Sequence, residues 1–446
     1  MKNRILFLLS LCFSLAAFSQ EVPQQFSLQE AIDYALINNR KAKNAVRDIE
    51  AAEKQKWETT ATGLPQLNAT VDYQNWIKQQ VSMLPGEIAG GEPGTFIPVE
   101  FSPKQNMAAT ATLSQLLFDG SYIVGLQSAK VYLEISENAK IKTDLEVRKA
   151  VINAYGNVLL TEESLIILNS NKAILESNLN EIEKTYENGL EEEESVEQMK
   201  ITLSSLISDL NNVKRLKVLA YKMLNITMGI DYNTDIVLTD NLEILSLQYT
   251  SLAALEADDS VENTIDYLIA ENELESKELL VKLAQAAGMP TLSAFINGGY
   301  NGFGQKFEFF TNNQDWFGNS LFGVSLNIPI FSSLGRTAAT QRAKIDLDKA
   351  NENLIQVEQE LQLQIATAKS DYQFAIEDFN NKKQNLDLAE RIEKKNETKF
   401  FEGIASSFDL RQAQTQLYSA QQEYLQAMLD IINKKAELDA ILSTIN

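Results

Sequence analysis

Histidine is absent from the 446 residues, and cysteine occurs once, at Cys12. The first absence removes imidazole acid–base chemistry, Ser-His and Cys-His nucleophile pairs, and histidine-ligated zinc or haem. The second leaves no disulfide and no thiolate metal site. Proline is sparse and uneven: the eight stand at positions 23, 65, 85, 93, 98, 103, 290 and 329. None falls between 104 and 289 or after 329, and glycine is missing as well from 336 to 402. Those intervals are rich in helix formers. Past the N-terminus, no run reaches the roughly 20 apolar residues of a spanning helix, so contact with a bilayer is expected through strands or through the surface. An enzyme built on carboxylates and lysines alone lacks any convergent pocket signature, and neither an enzyme nor a bound cofactor or metal is expected.

Positive charge is also scarce: 39 Lys and Arg stand against 61 Asp and Glu, a net −22. Nucleic acid, whose phosphates need cationic neutralisation, is therefore not an expected partner. The N-terminus carries Lys2 and Arg4, an apolar run over 5–17, and Ala17-Phe18-Ser19 with small residues at both cleavage-determining positions. This is the pattern of an export signal, residues 1–19, cut after Ser19. Cys12 lies inside that run and follows Leu11, too large for the position before a lipidated cysteine, so lipidation is not expected.

What the chain does have, it has twice. Gly63-Leu64-Pro65-Gln66-Leu67-Asn68-Ala69 returns as Gly288-Met289-Pro290-Thr291-Leu292-Ser293-Ala294, the segment 113–118 returns at 326–331, and Gly189 has a counterpart in Gly403. The separations are 225, 213 and 214 residues, which points to two copies of one structural unit. The first is expected over 20–228 and the second over 262–446, joined by a connector at 229–261 rich in Asp, Asn and Thr.

Helices are expected over about 28–62, 121–188 and 190–228 in the first unit, and 262–287, 337–402 and 404–443 in the second. Ser27-Leu28-Gln29-Glu30 has the capping-box pattern that starts a helix. Ala343, Leu347, Ala350, Leu354, Val357, Leu361, Ile365, Ala368 and Tyr372 recur in steps of three and four, a coiled-coil seam. At 1.5 Å per residue the two longest helices would each run about 100 Å.

Four segments alternate with period two, expected as strands at about 65–78, 106–118, 290–301 and 320–331. Leu67, Ala69, Val71 and Tyr73 oppose Gln66, Asn68, Thr70, Asp72 and Gln74, and Phe322, Val324, Leu326, Ile328 and Ile330 oppose Gly323, Ser325 and Asn327. Phe295 breaks the pattern in the third. These form two hairpins closed by long loops over 81–105 and 303–319. Alternation alone fits a barrel wall between lipid and water, and equally a soluble sheet with one face on a core. Export, the long loops, and Tyr73, Trp76, Tyr300 and Trp316 near strand or loop ends favour the bilayer. Four strands cannot close a barrel, so an oligomer is expected, two copies giving eight strands and three giving twelve.

The segments 38–45 (NNRKAKNA), 61–69 (ATGLPQLNA), 113–120 (LSQLLFDG), 186–190 (YENGL), 286–294 (AAGMPTLSA), 324–331 (VSLNIPIF) and 400–417 (FFEGIASSFDLRQAQTQL) resemble the outer membrane factor family of TolC, in order and across both repeats. The resemblance implies a mainly α fold with a transmembrane β-barrel section: a homotrimer with one 12-stranded barrel and one periplasmic tunnel of 12 helical columns. It implies an outer-membrane exit channel of a tripartite efflux or type I secretion system, with a periplasmic adaptor (membrane fusion protein) and an inner-membrane RND or ABC transporter as partners. A periplasmic helical adaptor is the alternative reading. The turns at Gly189-Leu190 and Gly403-Ile404 match the family's adaptor-docking tips, although glycine at a chain reversal needs no partner to explain it. Asp409 matches an aspartate at the narrowest aperture, and Gln412 stands where a second is often found. Ser195, Phe400 and Ala405 replace the Asp, Tyr and Arg that tie neighbouring tips together. Residues 191–194 are all Glu, either acidity for the tip or a solvated helix start.

Overall fold

The computed structural model describes residues 25–256 and 260–442. The expected export signal and Cys12 lie outside the described residues. Two compact units divide the chain, one holding residues up to 49 with 136–270 and those from 354, the other holding 50–135 and 271–353. The chain passes between them within helices α2 (Arg40–Thr62), α3 (Gly120–Glu187), α6 (Ile265–Ala286) and α7 (Gly335–Phe401).

The second unit carries a four-stranded antiparallel sheet in the order β2-β5-β7-β8. Its strands are β2 (Gln66–Asn75), β5 (Gln105–Asp119), β7 (Thr291–Gly304) and β8 (Trp316–Asn327). Register keeps one face apolar across all four: Leu67 pairs with Leu113, Leu113 with Ile296, and Ile296 with Phe322. The opposite face runs Thr70, Thr110, Gly299, Asn319. Phe295 lies on this polar face because its ring covers Gly323, where an added Cβ would sit 2.5 Å from it. Ile328 and Ile330 fall beyond β8, which ends at Asn327 two residues before Pro329, a residue with no N–H for the ladder. The loop expected over 81–105 contains a small hairpin of its own, β3 (Ser82–Pro85) with β4 (Phe96–Val99). The second loop folds Phe307, Phe309 and Phe310 together with Tyr73 and Trp316, ring centroids 5.3 to 6.3 Å apart, at the loop end of the apolar face.

Both strand pairs are entered by one device. α2 ends in hydrogen bonds from Gly63 N to Thr60 O (3.2 Å) and Leu64 N to Ala61 O (3.1 Å). α6 ends with Gly288 N to Gln285 O (3.1 Å) and Met289 N to Ala286 O (2.9 Å). A proline then forces the extended backbone of the strand.

The first unit is helical. Its main core joins α1 (Leu28–Asn38) to α3, α4 (Glu193–Met228), α7 and α8 (Ser407–Ile441) through Ile32, Val151, Tyr155, Leu224, Tyr372 and Ile432. The seam predicted on α7 is the buried one here, with Leu361, Ile365, Ala368 and Tyr372 all buried. The connector does more than link: β6 (Val237–Leu238) pairs in parallel with β1 (Gln25–Phe26), and α5 (Leu242–Gln248) adds Leu242 and Leu245 to that core.

Two features depart from the sequence reading. The helix expected over 28–62 breaks at Asn39, whose extended backbone (ψ 138°) ends α1 while its side chain accepts from Lys41 N at 2.7 Å to start α2. Its amide also donates to Thr227 O at 2.6 Å, and the break packs on Gly229, where a Cβ would sit 2.2 Å from Asn38 O. The expectation that no segment has the length and apolarity of a spanning helix fails for α3, which holds an 18-residue window that meets both. Of that window 44% is buried inside the protein, and α3 gives Val147, Val151, Ile152, Tyr155 and Val158 to the helical core.

Tyr155 is fully buried, and its hydroxyl lies 2.8 Å from Asp240 Oδ2 and 3.0 Å from Phe26 O. The same carboxylate oxygen accepts from Leu28 N at 2.7 Å, tying α1, β1, α3 and the connector at one point. Burial, with Asp240 adding, raises the phenol's pKa, so it stays a donor. Tyr155→Phe should lower unfolding stability by about 1–3 kcal/mol, the cost of leaving a part-buried acceptor short of a donor. Denaturant unfolding in detergent, followed by circular dichroism, measures it.

Candidate functional site

Both expected tips lie in the first unit and reverse the chain in the same way. After α3, Gly189 (φ 74°) donates to Tyr186 O at 2.8 Å and Leu190 N donates to Thr185 O at 3.0 Å. After α7, Gly403 (φ 73°) donates to Phe400 O at 2.9 Å and Ile404 N to Lys399 O at 2.8 Å. This is the Schellman arrangement, whose left-handed residue is usually glycine. A Cβ at either glycine would meet nothing within 4 Å, so the constraint is the backbone angle and not space. Leu190 and Ile404, the residues that follow, are 79% and 71% exposed.

The helices that leave the turns start differently. Ser406 caps α8 in a capping box: Asp409 N donates to Ser406 Oγ (3.2 Å), while Ser406 N and Oγ donate to Asp409 Oδ2 (3.1 and 2.7 Å). Glu192 caps α4 with no side-chain hydrogen bond, and Glu193 and Glu194 fill its first turn, where carboxylates favour the helix dipole. Glu194 is engaged locally, accepting from Gln198 Nε2 at 2.7 Å.

Side chains join the two reversals. The Ser195 and Ser407 hydroxyls are 2.7 Å apart, Ser407 Oγ donates to Glu191 Oε1 at 3.3 Å, and Arg411 donates to Gln198 Oε1. The Arg411 guanidinium also sits 5.4 Å from the Phe408 ring centre. Behind them Phe400 packs on a core of Leu175, Ile182, Val196 and Met199. Ser195, one of the three substituted tie positions, thus makes a contact within the protomer, and Phe400 belongs to a core edge. Ser407, Arg411 and Gln198 were not singled out from the sequence. Nothing in single-chain periodicity pairs residues 212 and 213 positions apart.

Asp409 and Gln412 are both exposed, one turn apart on α8. Hydrogen bonds from the Ser406 side chain and backbone, with Lys399 adding, hold the Asp409 carboxyl below the usual aspartate range. Deeper in the same helices, polar side chains occupy buried positions: Asn178 and Gln414 are 3% and 1% exposed, and Asn171 Nδ2 donates to Gln421 Oε1 at 2.8 Å. Nearby, burial and Glu397 raise the pKa of Glu393.

A sheet with one apolar and one polar face, joined to long helices that reverse at paired glycine turns, describes the subunit of an outer-membrane channel. The profile of the family described as outer membrane efflux protein matches residues 31–229 and 258–444, and the chain belongs to that family. It is 20% identical over 342 residues to outer membrane protein TolC of Vibrio cholerae, covering 76% of this chain and 77% of that one. Among solved structures it is similar to CusC, with a TM-score of 0.73, 18% identity and coverage of 93% of this chain and 91% of that one. VceC from Vibrio cholerae gives a TM-score of 0.70 at 17% identity, covering 93% and 96%. The family and these neighbours are outer-membrane channels and not enzymes, and the chain is an outer-membrane efflux protein.

A folded-state pKa below the unfolded value adds stability above about pH 4 that is lost as the pH falls through the lowered value. Deuterium-exchange protection of the amides of 406–410 should therefore hold down to about pH 4 and fall below it. Ser406→Ala should reduce that protection roughly fivefold at neutral pH and bring the Asp409 carboxyl back toward its ordinary range.

Proposed function

We propose that three copies of the chain build a passive exit duct for a tripartite efflux or type I secretion system, spanning the outer membrane and reaching into the periplasm. The observation that carries this reading is that the sheet ends in β2 and β8, each with one edge unpaired by any strand among the described residues. In hydrocarbon each unpaired backbone group costs several kcal/mol, so the edges require neighbouring copies. Family membership favours three copies and a barrel of twelve strands, wide enough to leave a channel. The exported mature chain then consists of the repeats 20–228 and 262–446 joined by 229–261, with 1–19 removed as the signal. Polar faces line the lumen, apolar faces meet outer-membrane lipid, and the aromatic cluster around Phe309 and Trp316 lies at the interface, where such rings are enriched.

In this reading Gly189, Leu190, Gly403 and Ile404 form the docking tips for a periplasmic adaptor that leads to an RND or ABC transporter. The exposed Leu190 and Ile404 supply apolar contact there. Asp409 and Gln412 line the constriction, where three ionised carboxylates attract cations and repel one another. Closure rests on the Ser195–Ser407 and Arg411–Gln198 contacts in place of the family's Asp, Tyr and Arg.

Purified protein should form oligomeric channels in planar bilayers, and a protein that stays monomeric in detergent would overturn the assembly. Asp409→Asn, which keeps an oxygen for the Ser406 cap, should lower the cation-to-anion permeability ratio about twofold or more. An unchanged ratio rejects the aperture role.

Gly403→Asn, tolerant of the left-handed backbone, should keep pump-dependent drug tolerance. Gly403→Arg should abolish it, down to the level of cells without the channel, with insertion intact. Tolerance retained in the Arg variant counts against docking at this turn.

A further inference from the structure

The loop half of the sheet's polar face is built from Ser, Thr, Asn, Gln, Gly and Ala with four exceptions: Asp72, Phe303, Phe317 and Leu321. Phe303 and Phe317 touch, with ring centroids 6.1 Å apart, and are 44% and 58% exposed. A cross-strand pair of rings steadies a sheet on either face. On this face, however, it leaves apolar surface among amides and hydroxyls, facing water. The register adds a second element. Asp72 is opposite Ala108, Ala108 opposite Asn301, and Asn301 opposite Phe317, so one row across the four strands runs carboxylate, methyl, amide, ring. At the usual strand spacing the two ends of the row are about 14 Å apart, over a floor of two small side chains.

Within the four strands the charge has one sign, and Lys104 and Lys306 stand just outside them at the loop end. The four strands contain no Lys or Arg and two acids, Asp72 and Asp119. Asp119 is committed to starting α3, accepting from Ser121 N at 2.7 Å and Tyr122 N at 3.1 Å. Asp72 is exposed and is the charge the polar face presents. A carboxylate at one end of the row and an exposed pair of rings at the other complement a solute that is both cationic and aromatic: Asp72 draws its charge, while Phe303 and Phe317 offer a stacking surface across the floor between them.

We propose that this row is a weak binding site for aromatic organic cations in transit, near the loop end of the lumen. It rests on the reading of the polar face as the lumen wall. Binding must stay weak, because conduction needs a site that a solute can leave as readily as it enters.

The test uses the full-length channel in planar bilayers with three probes added from the loop side: aminoacridinium, tetraethylammonium as a cation without rings, and anthracenesulfonate as an aromatic anion. Aminoacridinium should reduce the current at concentrations where neither control does. The double variant Phe303→Ser with Phe317→Ser should raise its half-blocking concentration about two- to fivefold, and Asp72→Asn should raise it by a similar factor. Asp409→Asn should leave it unaltered. Equal block by tetraethylammonium, or block that follows Asp409 and ignores Asp72 and the rings, overturns the proposal. Should one variant fail to assemble, the other decides alone. Absence of any channel in the wild type would instead count against the pore reading.

Discussion

Inside hydrocarbon a strand's N–H and C=O groups have only other strands to bond with, and this one constraint organises the molecule. β5 and β7 are paired on both sides, so the burden falls on β2 and β8, the outer strands of a sheet too small to close. The four-strand register that aligns Leu67, Leu113, Ile296 and Phe322 has a use only if the edges are also satisfied, since an apolar face in lipid with open edges is unstable. In the proposed duct, assembly is therefore a condition for the fold of the sheet and not a later addition to it. The long helices obey the opposite rule. Each satisfies its own backbone, so their arrangement is left to side-chain packing and, near the turns, to a few polar contacts.

That division explains which parts were legible in the sequence. Period-two alternation marked all four strands because each has one face apolar and one polar, and the three-four spacing on α7 marked the face that carries Leu361, Ile365 and Tyr372. Local chemistry was legible too: Ser27 with Glu30 forms the capping box its spacing promised, and both tip glycines adopt positive φ. Features that depend on distant partners were hidden. The break at Asn39 needs Thr227 and Gly229 beside it, and the connector's share of the core depends on Tyr155 meeting Asp240. Asp409 was legible in the sequence as an acid, but that it closes the cap with Ser406 required knowing where α8 begins.

The polar layer in the helical unit stands apart from the rest of the packing. Asn178, Gln414 and the Asn171–Gln421 pair occupy buried positions where aliphatic side chains would pack with more stability. Buried polar residues in helical seams fix register at a cost in stability. The same helices carry the reversals, and the contacts between those reversals, Ser195 with Ser407 and Arg411 with Gln198, are also polar. In these helices a hydrophobic core of Leu175, Ile182, Val196 and Met199 is thus supplemented by directional bonds between the two reversals.

Two helices that leave matching reversals with unequal caps do not resist unwinding equally. α8 begins under a reciprocal serine–aspartate lock, whereas α4 begins at Glu192 without one. The missing bond is worth about 1 kcal/mol, of which Glu193 and Glu194 at the dipole restore only part, so the leading turn of α4 loosens more readily than that of α8. A force applied evenly to both hairpins would consequently be taken up first along the 190–195 stretch, making it the compliant half of an otherwise duplicated pair.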